Sequence, residues 1–225
     1  MTDPHPLLAI DTATRFSGLA LYDGDTILGE VYWKSNNNHS VELMPALVHM
    51  LERQNLNVAA LAAVAVAIGP GSFTGLRIGL SVAKGLAQAQ GIPIIGVPTL
   101  DILAFQHQDQ QRPVWAVIQA GRGRLCIAQY ERRRGQWRMH DAFELTTLDG
   151  LVERLTNRCL VCGELAHKDR IYIAERTQTD VQFARPSQSM RRPASLAELA
   201  WQRFRRGQHD DLAALSPIYL HTVQA

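Results

Sequence analysis

Residues 68–79 read Ile68-Gly69-Pro70-Gly71-Ser72-Phe73-Thr74-Gly75-Leu76-Arg77-Ile78-Gly79. They follow an apolar run, Leu61 to Ile68, and precede a helical pattern. Four glycines and one proline in this stretch specify a strand-to-helix turn where backbone can approach backbone closely. Ser72 or Thr74 is suited to cap the helix. Gly75 and Gly79 share a helical face with Val82, Ala83 and Leu86, which suits close packing against an intramolecular neighbour or a partner chain. A phosphate loop is the competing reading, because such turns present N–H groups to anions. The Walker form requires Gly-Lys-Ser/Thr at the helix start; this helix opens Gly75-Leu76-Arg77, which favours packing or docking.

Outward from that turn the chain divides into two halves with one pattern. Leu7 to Ile10 reads as a buried strand ending at Asp11, followed by a turn at Thr12-Ala13-Thr14. Ser17 to Tyr22 and Thr26 to Trp33 form a hairpin about Asp23-Gly24-Asp25. Ser40 to Arg53 is a helix and Ala62 to Ile68 a fourth strand. The second half repeats the order, with strands over 114–118, 124–130 and 137–143, a helix over 148–155 and a strand at Leu160-Val161. The pattern predicts an α/β fold of two lobes, each a mixed sheet packed with helices. The lobes span 1–105 and 106–225, with the last residues a candidate to return to the first lobe. A final helix is expected near Ser195 to Arg206, and an extended surface segment over Gln178 to Pro193.

Composition sets outer bounds. The chain has 225 residues, 46% hydrophobic, enough for one large or two small cores. A net charge of +2 gives no overall basic character to predict nucleic-acid binding. No apolar run is long enough to span a bilayer, and the start Met1 to Pro6 does not read as a signal peptide. Three cysteines make no disulfide framework, so a reducing cytoplasm is expected.

The doubled pattern resembles the actin-like ATPase (ribonuclease H-like) fold. Ala9-Ile10-Asp11-Thr12-Ala13-Thr14, Asn38-His39-Ser40 with Met44-Pro45, and the glycine motif from Gly69 to Gly79 narrow the resemblance to the TsaB family. Gly96-Val97-Pro98-Thr99-Leu100 and Pro217-Ile218-Tyr219-Leu220 also match. The resemblance implies a non-catalytic scaffold or activator. Its complex transfers a threonylcarbamoyl group to the adenosine beside the anticodon of ANN-reading tRNAs. It implies TsaD as partner, paired through helices of the first lobes, and TsaE joining them. ATP and a metal are then used by the partner subunits, with no cofactor or metal bound by this chain alone.

The residues fit a helper better than a catalyst. A TsaD-like site needs two histidines four apart on one helical face to hold a metal, and none of the eight histidines are so spaced. Relatives with this fold place an acidic residue after the first strand of each lobe. Asp11 fills the first place and Gln119 stands near the second, which weakens cation binding. Asp11, Thr12 and Thr14 therefore form either a nucleotide site or a structural turn. Cys159-Leu160-Val161-Cys162 lacks a second pair and reads as core, and no nucleophile elbow is evident. Arg132-Arg133-Arg134, Arg191-Arg192 and Arg203-Arg205-Arg206 are local basic clusters, either solvated or touching tRNA phosphates.

The expected partner interface is Leu43, Leu47, Met50 and Leu51 on the first helix, widened by Met44 and Val48, with Phe73, Gly75, Leu76, Gly79, Val82 and Leu86 on the glycine-bearing helix. On this reading Gly75→Leu or Gly79→Leu blocks partner binding while the monomer stays folded. A self-complementary face would also allow a homodimer of the isolated chain. The alternatives are an independent ATPase or phosphotransferase, which Asp11-Thr12 allows, and a metallopeptidase, which lacks a metal pair.

Overall fold

The computed structural model describes residues 5–35 and 38–219. Met1 to Pro4, Asn36-Asn37 and the Leu220 that ends the late matching run lie outside the described residues. The chain forms two compact units, 5–102 with 192–219, and 103–191.

In the first unit the strands are β1 (Leu7–Asp11), β2 (Phe16–Tyr22), β3 (Ile27–Lys34), β4 (Ala63–Gly69) and β5 (Ile94–Pro98). They form one sheet in the order β3-β2-β1-β4-β5. The hairpins β1–β2 and β2–β3 are antiparallel, while β1–β4 and β4–β5 are parallel. Helix α1 (His39–Arg53) leads into β4, and α2 (Phe73–Gln90) into β5. Both lie on one face, where Leu8, Ile10, Leu19, Val64 and Val66 meet Leu43, Leu47 and Met50 of α1 and Leu80 and Ala83 of α2. The alternate residues Leu7, Ala9, Ala63, Ala65 and Ile95 face the opposite way, against Leu196, Ala197 and Ala200. That period of two, buried on both faces, is why β1 and β4 read as unbroken apolar runs.

The helix covering the second face is α6 (Pro193–Phe204), the last in sequence. The return to the first unit therefore begins at Arg192, earlier than a tail of last residues, so the expected second lobe of 106–225 is too long. Glu30 on β3 fastens this return. Its Oε1 accepts a hydrogen bond from the Ala194 N–H at 2.9 Å, and its carboxylate pairs with Arg192. An acceptor at the first turn of a helix satisfies an N–H that has no intrahelical partner.

The second unit has β6 (Val114–Gln119), β7 (Leu125–Arg133), β8 (Gln136–Met139), β9 (Glu144–Thr146), α4 (Leu148–Arg154), β10 (Cys159–Gly163), α5 (His167–Arg176) and β11 (Val181–Phe183). Its sheet order, β8-β7-β6-β10-β11, repeats that of the first unit strand for strand, with β9 added on β7. Gly69 and Gly163 end the corresponding strands β4 and β10 with φ of +107° and +114°, a conformation that suits glycine. The expected strand over 137–143 is strand only at its start, in β8, and the separate strand β9 begins after it at Glu144. Sequence reading also missed β5, α5 and β11. The last lies inside the stretch expected to be extended surface, where Val181 and Phe183 pack on the second core. Helix α3 (Thr99–Phe105), also missed, ends at the expected boundary of the first lobe, residue 105.

Arg191 is the largest fully buried side chain among the described residues, and its Nη1 donates to Glu164 Oε1 at 2.6 Å. The two side chains are 1% and 7% exposed. Arg191 is thus no tRNA-contacting cation; it pins the end of the second unit. Replacing Glu164 by Ala takes a buried carboxylate away from the buried guanidinium. The expected cost is about 3–5 kcal/mol of stability, measured by urea unfolding of the Glu164→Ala variant.

Candidate docking face on the first unit

The glycine motif is built around the turn that follows β1. Asp11 Oδ1 accepts the Ala13 N–H at 2.8 Å, and Thr14 Oγ1 accepts the Phe16 N–H at 3.3 Å. The turn so formed meets the glycine loop directly. Ser72 N–H donates to the Ala13 carbonyl at 2.6 Å, and Thr12 Oγ1 donates to the Gly75 carbonyl at 2.7 Å. A Cβ at Gly71 would run into the Ala13 carbonyl oxygen, at Gly75 into that of Thr12, and at Gly79 into Thr12 Oγ1. Three glycines four residues apart cut one channel along the start of α2, and Thr12-Ala13 fills it. Asp11, Thr12 and Thr14 are all buried. The hydrogen bonds just described are those of a structural turn. Several loop N–H groups that could meet a phosphate are engaged within the chain: Ser72 N–H by Ala13, Gly75 N–H by Ser72 Oγ, and Leu76 N–H by the Ser72 carbonyl. Of the two capping candidates it is Ser72 that caps α2, and Gly91 in the left-handed region closes it.

This geometry corrects the expected interface. Gly75, Leu76 and Gly79 face inward, and so do Leu43, Leu47, Met50 and Leu51. All seven belong to the first unit's own interior. Val82 and Leu86 are half-buried against the same core. Of the expected residues Phe73 is exposed, at 54%, and so are Met44 and Val48, which widened the expected face. The outward surface of α1 carries a second stripe, Val41, Met44 and Val48, at 72%, 41% and 47% exposure. Their spacing of three and four is also helical. The helix is thus apolar on two sides, and the inner stripe alone accounts for the core. Val41 was missed; its spacing from Met44 and Val48 was the available signal. A shallow groove beside this stripe is lined by Ser40, Phe73, Thr74, Arg77, Ile78, Ser81 and Val82.

His39 opens α1 and is buried, with Nδ1 at 2.7 Å from Ser17 Oγ. Burial lowers its pKa from the ordinary 6.5, against the pull of Glu42 and Asp11. Ser17 is fully buried, so the pair stands inside the fold where no substrate reaches it. In the second unit Gln119 is held by Glu164: its Nε2 donates to the Glu164 carbonyl at 2.9 Å, and its N–H to Oε2 at 3.2 Å. Burial pushes the Cys126 thiol up to about 12 and Cys159 to about 11, and also raises Cys162. These are packing residues rather than reactive thiols. Among the described residues no three His, Cys, Asp or Glu side chains gather where they could hold a metal ion. No helix among them is long and apolar enough to cross a membrane. Elsewhere Arg132 and Arg133 pair with Asp109 and Glu131, Arg192 with Glu30, and Arg203 with Asp210.

Two expectations follow. Gly75→Leu and Gly79→Leu disrupt the seam with Thr12, so both variants lose stability, by at least about 2–3 kcal/mol, and any loss of partner binding tracks unfolding in thermal melts. Folded His39, and His107 whose pKa burial also lowers, protonate less readily than in the unfolded chain. The stability they contribute is complete above the ordinary value of 6.5 and is lost as pH falls below it. Urea midpoints measured between about pH 7.5 and about pH 5.5 should fall, and fall less steeply in His39→Gln.

Comparison with known proteins sets this geometry in a family. A family model described as TsaD, tRNA N6-adenosine threonylcarbamoyltransferase, matches residues 27–214. The chain is 30% identical over 222 residues to the tRNA threonylcarbamoyladenosine biosynthesis protein TsaB of Bacillus subtilis (strain 168), covering 97% of this chain and 95% of that one. Among solved structures, YeaZ from Pseudomonas aeruginosa superposes with a TM-score of 0.78 at 26% identity, over 96% of this chain and 99% of that one. The activator of the 2-hydroxyisocaproyl-CoA dehydratase from Clostridium difficile, with bound ADPNP, aligns over 92% of this chain and 99% of its own at TM-score 0.55 and 11% identity, a likeness of fold alone. The fold is that of the actin-like ATPases. With a relative this similar along nearly its whole length, and the glycine loop closed on the first-strand turn, the chain belongs to the TsaB family of tRNA threonylcarbamoyladenosine biosynthesis proteins.

Proposed function

We propose that this chain is a non-catalytic scaffold that docks TsaD through α1 and α2 and activates its transfer of a threonylcarbamoyl group. The substrate of the complex is the adenosine beside the anticodon of ANN-reading tRNAs. TsaE joins the pair, and the assembly works in the cytoplasm. ATP and a metal are used by the partner subunits. The carrying observation is the exposed apolar stripe of Val41, Met44 and Val48 on α1, together with exposed Phe73, which shares a groove with Ser40 at the start of α1. Contiguous apolar surface of this kind mark interaction sites. Further support comes from the Asp11 turn, which is tied into the fold, and from Gln119, a neutral amide held by Glu164. Both leave an independent ATPase or phosphotransferase with less to work with. Without a partner, the same stripe allows two copies to pair.

The test is co-purification with the TsaD of the same organism, then transfer to unmodified tRNA with and without this chain. A stable complex and activity needing both proteins is the expected result. No complex, together with ATP turnover by this chain alone, would overturn the scaffold reading. Met44→Asp and Val48→Asp should weaken the complex on the order of tenfold or more, about 1.4 kcal/mol, with unchanged melting temperature because both positions are exposed.

A further inference from the structure

Arg77 stands at the rim of the groove and is held in place before any partner arrives. Its guanidinium lies 3.8 Å from the centroid of the Phe73 ring. Its Nε donates to the Tyr219 hydroxyl at 2.9 Å. The Phe73 and Tyr219 rings meet at 5.2 Å between centroids. Tyr219 comes from the far end of the chain, and the backbone delivering it is anchored by the Ile218 N–H on the Ile68 carbonyl at 2.7 Å. A long flexible cation is thereby fixed by a stacking contact and one hydrogen bond, which removes most of the entropy cost of using it.

What Arg77 lacks is a counter-charge. It forms no ion pair among the described residues. The groove beside it carries hydroxyls and apolar groups, from Ser40, Thr74, Ile78, Ser81 and Val82, and no acidic side chain. A second cation is also missing from that lining. The nearby amine of Lys84 donates to the Ala213 carbonyl. A nucleic-acid backbone is followed by several cations in a row. One clamped guanidinium at the edge of an apolar groove suits a single carboxylate, which its planar fork can grip with two hydrogen bonds.

We infer that Arg77, held by Phe73 and Tyr219, is the specificity-determining cation of the docking face and pairs with an Asp or Glu on the partner helix seated against α1 and α2. This rests on the scaffold reading above. Phe73 and Tyr219 act as positioning residues.

The test is titration of TsaD with the full chain by calorimetry, at low and high salt. Wild-type binding must be seen first; its absence would overturn the scaffold reading. Given that binding, Arg77→Ala should weaken it at least tenfold and flatten its salt dependence, with an unchanged melting temperature. Arg77→Lys should recover only part, because the fork is lost. Tyr219→Phe, which removes only the hydroxyl holding Nε, should cost a smaller factor, about two- to fivefold. Arg77→Glu should be rescued by reversing one acidic residue on the partner's docking helix. Binding of Arg77→Ala within twofold of wild type would overturn the inference while leaving the scaffold intact. Loss of tRNA binding with full TsaD affinity would also overturn it, and would reassign Arg77 to a phosphate.

Discussion

The first unit is organised by the fit between Thr12-Ala13 and the channel of Gly71, Gly75 and Gly79. This contact joins the first strand's turn to the helix that follows the fourth strand, across some sixty residues of chain, through Ser72 N–H to Ala13 and Thr12 Oγ1 to Gly75. The hydrogen bonds are buried, so each partner depends on the other for its polar satisfaction. With α2 set this close to β1, its outer side faces away from the core, and Phe73, Arg77 and Ser81 are placed there. The exposed surface is a consequence of the inner seam.

The two units show how one topology can be finished differently. Both use the strand order of a hairpin pair followed by parallel additions, and the corresponding strands β4 and β10 both end at a glycine of positive φ. In the first unit the turn after the central strand is closed by a glycine helix start. In the second, Gln119 and Glu164 fill the corresponding strand ends, and Arg191 completes them with a buried charge. An ion pair so deep has a large desolvation cost and is stable only with its partners in place. Each strand-end region is thus occupied by the chain's own groups.

Much of the fold was legible in the sequence, and the reason is local. The strand and helix order through β4, and again for β6, β7, β8, α4 and β10, followed from apolar runs of strand length, turn residues and one clear helical period. Elements without such contrast were missed. Helix α5 has few apolar residues, and only Ile173 is buried on it. Strand β11 has three residues. The exposed stripe was half legible: Met44 and Val48 were singled out, yet most residues assigned to the partner interface belong to the core. A helical stripe gives the same period whether it faces a sheet or solvent, and α1 has one of each.

The sequence by itself determined the family, the two-lobed α/β pattern and the special role of the glycine motif. Those rest on residue identity and spacing along the chain. The tertiary structure alone decided which side of each helix is buried, because that depends on what lies across from it. It showed that the glycines receive a turn of their own chain and that Arg191 is interior. It also brought Tyr219 to Arg77 from 142 positions away. Contacts of that range leave no period in the sequence, since they come from sheet order and from the return of the last segment to the first unit.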